Sequence, residues 1–324
     1  MMPKNMFPGQ PAANAPETTE AHAALATARE TLNSIVIGKT HAVKLALATL
    51  LAGGHLLLED LPGVGKTTLA HALAATLGMQ WGRVQFTSDL LPADITGLSV
   101  YDPTNGTFEF HRGPVFTSLL LADEINRAPA KTQSALLEAM AEQQVTVDGI
   151  RYKLPAPFFV VATQNPTEQL GVFPLPESQL DRFLACVELG YPDKASERTL
   201  LTGTDRQDLI ADIAPVMTPE SVLYWQAKAR QIHAADPLID YLQSLLQTSR
   251  NYALAGKCAN GLSPRAGVYL LRLCRAWALL NDASMVLPEH VQSVFCNVAA
   301  HRIAGSLSAG SPIAKEILDS VDVV

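Results

Sequence analysis

From about Ala21 to Tyr191, short and nearly continuous apolar runs alternate with longer stretches of helical periodicity. Strands covered on both faces by helices read this way, because neither face is left to water. Five runs qualify: HLLLE (His55 to Glu59), RVQFT (Arg83 to Thr87), SLLLAD (Ser118 to Asp123), FFVVAT (Phe158 to Thr163) and LACVEL (Leu184 to Leu189). They predict an α/β core over residues 21–192. Two segments break the rhythm by alternating with period two around a turn dipeptide. SVYDPTNGTFEFHRGPV carries Asn105-Gly106 and QVTVDGIRYKL carries Asp148-Gly149, so each is expected to form a hairpin that projects from the sheet. After Pro192 the pattern becomes helical only. In AGVYLLRLCRAWALL, residues Leu270, Leu273, Cys274 and Trp277 recur at helical spacing, and SVLYWQAKARQI and PLIDYLQSLLQTSR behave alike. A smaller all-helical domain is therefore expected over residues 193–324, with Trp225 and Trp277 packed in its core.

Composition narrows the function classes. A chain of 324 residues that is 48% hydrophobic can bury a sizeable core in two domains. The formal net charge of −7 supplies no overall basic field, so no nucleic acid is expected as partner. Cys186, Cys258, Cys274 and Cys296 form no C-x-x-C pair and sit among apolar residues, as reduced structural thiols would. Residues 1–20 are rich in Pro, Ala and Asn, contain no apolar signal region, and read as a flexible tail. The longest apolar run, Leu45 to Leu58, is interrupted by Thr49, Gly53, Gly54 and His55 and is too short to span a bilayer. These features predict a cytoplasmic protein with no membrane insertion.

The candidate chemistry lies at the ends of the predicted strands. LLLADEINRAP finishes a buried run with two adjacent carboxylates, Asp123 and Glu124. HLLLE runs into DLPGVGKTTLAHALAATLG, where a glycine-rich turn precedes Lys66 and Thr67 at a helix start. Such a turn cradles phosphate with backbone N–H groups and the positive end of the helix dipole. Lys66 is expected to reach the outer phosphates and Thr67 to ligate Mg²⁺. Asp60 stands where the strict pattern asks for glycine. Asp123 is then expected to hold Mg²⁺ and Glu124 to polarise the attacking water, since successive residues on an emerging strand point different ways. Asn165, after FFVVATQ, is either a turn residue before Pro166 or an amide that orients this water. Arg182 in LPESQLDRFL and Arg265 in GLSPRAG are either solvated surface residues or ligands of the γ-phosphate.

Taken in order, LEDLPGVGKTTLA, FTSDLLPADITG, GPVFTSLLLADEINRAPAKTQSALLEAMAEQQVTVDG, ATQNPTEQLGVFPLPESQLDRFL and LSPRAG resemble the motifs of MoxR-family AAA+ ATPases. The resemblance spans roughly Leu32 to Ile303 and is densest between Leu56 and Phe183. It implies a five-stranded parallel P-loop core, a helical lid, ATP and Mg²⁺ as ligands, and a homo-oligomeric ring, usually a hexamer. It makes Pro62, Gly63, Val64, Gly65, Lys66, Thr67 and Thr68 the Walker A loop, Asp123 and Glu124 the Walker B pair, and Asn165 sensor 1. Arg182 becomes the arginine finger given to a neighbour, with Arg127 as runner-up, and Arg265 becomes sensor 2. Val36, Ile37 and Gly38 are expected near the adenine. The two hairpins resemble the helix-2 insert and the pre-sensor-1 hairpin. The implied role is chaperone-like remodelling or maturation of a protein client, with a von Willebrand factor A domain partner and possible metal-cofactor insertion. A chelatase-like motor subunit, a nucleic-acid-dependent motor and a non-hydrolysing nucleotide switch are the alternatives. The small basic content of the hairpins, Arg112, Arg151 and Lys153, weighs against the nucleic-acid motor.

Overall fold

The computed structural model describes residues 18–165 and 173–323. The tail expected over residues 1–20 lies outside them except for 18–20, which open the first helix, and so does the turn expected at Pro166. Nine strands occur in the described residues: β1 (Leu56–Glu59), β2 (Trp81–Gln85), β3 (Gly97–Asp102), β4 (Thr107–Arg112), β5 (Leu119–Asp123), β6 (Gln144–Val147), β7 (Ile150–Lys153), β8 (Phe159–Gln164) and β9 (Ala185–Val187). The helices are α1 (Thr18–Ile35), α2 (Thr40–Leu51), α3 (Lys66–Thr76), α4 (Pro92–Thr96), α5 (Ala130–Glu142) and α6 (Glu177–Leu180), then α7 (Lys194–Thr202), α8 (Arg206–Ala211), α9 (Pro219–Gln231), α10 (Asp236–Leu254), α11 (Pro264–Leu279), α12 (Pro288–Ala304) and α13 (Leu307–Asp319).

The five apolar runs form one parallel sheet in the order β2-β5-β8-β1-β9. Its inner strands β1, β5 and β8 are buried at every position, which is why they carry no alternation. Edge strand β2 is the least regular and lies two residues earlier than the apolar run suggests. Trp81 pairs with Leu119 and stacks on His71 of α3 with ring centroids 5.0 Å apart, so the sheet begins there in spite of Gly82. The two hairpins, β3-β4 and β6-β7, are separate two-stranded sheets, as their alternation requires. Asp148 and Gly149 both adopt positive φ, the geometry that makes Asp-Gly a tight hairpin turn.

From Lys194 onward the regular elements of the described residues are helices, joined by loops and one bridge between His233 and Met285. Leu270, Leu273, Cys274 and Trp277 on α11 and Trp225 on α9 are buried. These helices rest on the core at several places. α9 and α11 pack against α2, where Gln226 Nε2 donates to Leu50 O at 2.8 Å, and α12 crosses β9, where Asn297 Nδ2 donates to Cys186 O at 2.9 Å. Among the described residues no helix is long and apolar enough to cross a membrane. The four cysteines are unpaired, and burial raises the thiol pKa of each.

Candidate active site

All five strands are parallel, so their carboxyl ends gather at one edge of the sheet, where ligands of open α/β sheets bind. β1 leaves the sheet there as the loop 60–65 and re-enters as α3. Gly63 (φ 83°) and Gly65 (φ 100°) adopt left-handed conformations that favour glycine, and a Cβ at either position would meet nothing within 4 Å. The loop thus curls around open space. Gly65 caps α3 without any side-chain hydrogen bond, so first-turn N–H groups remain available to a phosphate.

Asp60 does more than tolerate the loop. Its Oδ1 accepts from Leu61 N at 2.7 Å, and Oδ2 accepts from Leu189 N at 2.6 Å and Gly190 N at 2.7 Å. It anchors the start of the cradle to the end of β9, where the chain leaves for the helical region. Glu59 reaches further in the same direction. Its Oε2 accepts from Gln164 Nε2 and from Leu307 N at the start of α13.

Lys66 is buried, and its ammonium donates to Asp60 O at 2.6 Å and Leu61 O at 3.2 Å. Desolvation lowers its pKa, while Asp60, Asp123 and Glu124 act to raise it. The cleft in front of it, about 470 Å³, is lined by Pro62, Gly63, Gly65, Lys66, Thr67 and Thr68 on one side. Arg83, Gln85, Asp123, Glu124 and Asn165 line the other.

The two carboxylates are held apart by the backbone. β5 ends at Asp123, and Glu124 turns into the left-handed region at φ 56°, a conformation costing a non-glycine residue about 1 kcal/mol or more. The Thr163 hydroxyl joins them by accepting Glu124 N–H at 2.8 Å and donating to Asp123 Oδ1 at 2.7 Å. Asp123 Oδ2 pairs with Arg83 Nη2 at 2.7 Å. Glu124 Oε1 accepts from Asn165 Nδ2 at 2.9 Å, and Oε2 accepts from Gln85 Nε2 at 2.8 Å and Arg127 Nε at 3.1 Å. Arg127, the runner-up for the finger, thus pairs with a carboxylate of its own chain. Asn165 thus contacts the Glu124 carboxylate through its side chain.

Arg83, Gln85 and Thr163 are site residues that sequence reasoning missed. β2 pairs with β5 so that Gln85 stands opposite Asp123, a register that no local pattern in RVQFT reveals.

Val36, Ile37 and Gly38 do not line this cleft. They lie beside the chain leaving β9, where Gly38 abuts Ser196 and Lys39 Nζ donates to Tyr191 O at 2.6 Å. Val64 packs against the hydrophobic core instead of facing the cleft.

Arg182 and Arg265 also lie elsewhere. Arg182 precedes β9, and Leu184 N donates to His55 O at 2.8 Å, just before β1. It is therefore at the amino ends of the strands, a four-residue strand or about 13 Å of sheet away from the cradle. Arg182 Nη1 donates to Leu137 O at 2.7 Å, and Arg265 Nη1 contacts Asp181 Oδ2 at 3.4 Å. Both line a second cleft of about 240 Å³. Asp181 is fixed from the other side by buried Arg302, whose Nε donates to Oδ1 at 2.8 Å, and it also accepts from Ser263, the N-cap of α11. Helical region and core thus share one carboxylate next to Arg182.

His55 lies beneath this second cleft. Its Nδ1 accepts from Val160 N at 3.1 Å and its Nε2 faces Met140 O at 3.3 Å, which assigns the proton to Nε2. Burial lowers its pKa from 6.5 to about 4. The unfolded chain takes up this proton first as pH falls, so the stabilisation is complete above 6.5 and fades as pH approaches 4. The whole shift corresponds to roughly 3 kcal/mol. His55→Gln, which keeps one donor and one acceptor, is expected to reduce the loss of stability between pH 7 and pH 4.5 by about 2 kcal/mol in urea titrations. A wild-type pH slope in that variant would assign the acid lability to other groups.

Residues 55–185 match the ATPase family associated with various cellular activities (AAA), and residues 252–321 match the AAA lid domain. The site is thus that of an AAA ATPase, and the reaction is ATP hydrolysis. The YeaC protein of Bacillus subtilis is 41% identical over 94% of this chain and 96% of its own. Chaperone MoxR1 of Mycobacterium tuberculosis is 39% identical over 83% of this chain and 72% of its own. A crystal structure from Cytophaga hutchinsonii superposes with a TM-score of 0.83 at 34% identity, covering 94% of this chain and 96% of that one. The chain belongs to the MoxR family of AAA+ ATPases.

Proposed function

We propose that the protein is a Mg-ATP-driven ring, built from copies of this chain, that remodels or matures a protein client in the cytoplasm. The observation that carries the ring is the separation of Arg182 and Arg265 from their own cradle by the length of the strands. Neither reaches the phosphates bound by the same chain, so each serves a site only when a second copy docks its cradle against this face. A head-to-tail contact of this kind closes into a ring, and a hexamer is the form we favour.

The donor set fits Mg²⁺. Among the described residues no cluster of three or more His, Cys, Asp or Glu side chains could hold a resident metal. Thr67 and Asp123 offer hard oxygen ligands beside the phosphate cradle, which suits a cation arriving with its nucleotide. Held by Thr67 and Asp123, Mg²⁺ would supply positive charge against the charge that develops on the phosphates. Glu124, oriented by Asn165, would polarise the lytic water.

The nature of the client rests on the hairpins. Leu98, Val100, Tyr101, Phe108 and Ile150 are exposed on them, an apolar and aromatic surface with few fixed positive charges. That chemistry suits a protein better than a phosphate backbone. A von Willebrand factor A domain protein is the partner we favour, as target or adaptor, and metal-cofactor insertion into an enzyme is one form the maturation could take.

Phosphate release by the purified chain, with Lys66→Ala as control, tests the nucleotide site. Lys66 supplies a point charge that no other residue lining the cleft replaces from the same side. The variant is expected to lose at least about tenfold in ATP affinity by calorimetry, with its circular dichroism unchanged. Unaltered affinity would move the nucleotide to another site.

A further inference from the structure

The cleft that holds Arg182 and Arg265 contains a third guanidinium, that of Arg272, for which neither the fold nor the cradle provides a use. Arg182, Arg265 and Arg272 converge on about 240 Å³ together with His55 and Tyr269, and no Asp or Glu is among the lining residues. Asp181 reaches the group only through Arg265 and already carries buried Arg302. Arg272 is exposed and forms no salt bridge among the described residues. Three cations around one small cleft are an unusual arrangement in a chain of net charge −7. An anion bound between them would relieve their mutual repulsion.

Helix geometry gives the cluster direction. Arg265 and Arg272 are seven residues apart on α11, so they share a face and stand about 10 Å apart along the axis. Arg182 approaches from the core, across the shared Asp181. The arrangement is a row of planar forks on two elements, suited to an extended polyphosphate. The floor adds no competing charge, because His55 is held neutral between Val160 N and Met140 O.

We propose that Arg272 is a third ligand, with Arg182 and Arg265, for the triphosphate of ATP held in the cradle of a neighbouring copy. This rests on the head-to-tail ring proposed above. Arg272 contributes nothing to its own nucleotide site and acts only where a neighbour presents phosphate to this face.

The test follows ATP-driven self-association of the full chain by sedimentation, in a Glu124→Gln background that prevents turnover. Arg272→Ala is expected to raise the protein concentration at half-association by about tenfold or more. Arg272→Lys should restore part of the difference. ATP affinity of the dilute, unassociated chain and self-association without nucleotide should match the parent. The inference is overturned if Arg272→Ala associates like the parent with ATP, or if its defect is equally large without nucleotide, which would make Arg272 an ordinary interface residue. It is also overturned if inorganic phosphate alone drives association through Arg272, which would make the cleft a free-anion site. A parent chain that never associates with ATP sinks the inference together with the ring. Failure of the two readings is otherwise distinguishable through Arg182→Ala in the hydrolysing protein. Normal turnover there removes the trans site as a whole, whereas lost turnover with an unaffected Arg272→Ala removes Arg272 alone.

Discussion

Arg182→Ala is expected to bind ATP like the wild-type protein and to hydrolyse it about 10³ to 10⁵ times more slowly. The two halves of that expectation come from the same geometry. Arg182 stands at the amino end of β9, and its guanidinium bonds Leu137 O, so its removal leaves the chain's own cradle intact. The transition-state charge it is proposed to neutralise belongs to a neighbour. Mixing separates a trans role from a remote structural one. Lys66→Ala has no working cradle but still offers Arg182, whereas Arg182→Ala has a sound cradle and no finger. Each alone should be inactive. With random head-to-tail assembly of an equal mixture, about a quarter of interfaces pair an intact cradle with an intact finger. Activity should therefore return at up to roughly that fraction of wild type, if interfaces act independently. Doping wild-type rings with each variant measures how far dead subunits poison their neighbours. Silence of the mixture, with demonstrated subunit exchange and tolerant doped rings, would show that Arg182 does not act between subunits.

The same geometry explains which parts of the site were legible in the sequence. The cradle is contiguous: HLLLE, the glycine turn, and Lys66-Thr67 lie within thirteen residues, and parallel strands force their carboxyl ends together. Asp123, Glu124 and Asn165 could be assigned because each sits at the end of a strand buried along its whole length. The hairpins were visible because Asp-Gly and Asn-Gly mark tight turns, although in the first only Gly106 takes positive φ and the turn runs through a four-residue loop with Gly106 N bonded to Asp102 O at 2.9 Å. Arg83 and Gln85 were not visible. Their importance depends on β2 being the edge neighbour of β5, and strand order in a parallel sheet is set by crossovers far away in sequence. Asp181 and Arg302 escaped for the same reason, being 121 residues apart and joined only when α12 packs on β9. The arginine row was half legible: a motif marks Arg182 and Arg265, but only helical phase and packing bring Arg272 beside them.

Asp60 illustrates how a departure from a motif becomes intelligible once packing is known. Glycine at that position could not accept from Leu189 N and Gly190 N, and the cradle would lose its tie to the chain that leads into the helical region. Glu59 makes the companion contact to Leu307. Two adjacent acids at the end of β1 thus connect the phosphate loop with the helical region through their side chains.

Glu124→Gln is expected to retain ATP while turnover falls by roughly 10² to 10⁴, the contribution of a general base. The substitution removes the charge without disturbing the frame, because the surrounding amides can adapt. Glu124 accepts from Asn165 on one oxygen and from Gln85 and Arg127 on the other. A glutamine can turn its oxygen toward Arg127, which only donates, and its amide nitrogen toward Asn165. Asn165 then flips to present its own oxygen, since either orientation of its amide is available to it. Gln85 retains its acceptor. The backbone turn at Glu124 is unchanged, because Thr163 holds it through N–H rather than through the side chain. Loss of rate in this variant therefore reports the carboxylate itself and not a collapsed site. The trapped protein should keep ATP through gel filtration and should accumulate whatever client the ring engages, which mass spectrometry of the retained material would identify. Turnover within threefold of wild type in steady-state phosphate release would transfer the role of base to another group and leave Glu124 as a positioning residue for Asn165 and Arg127.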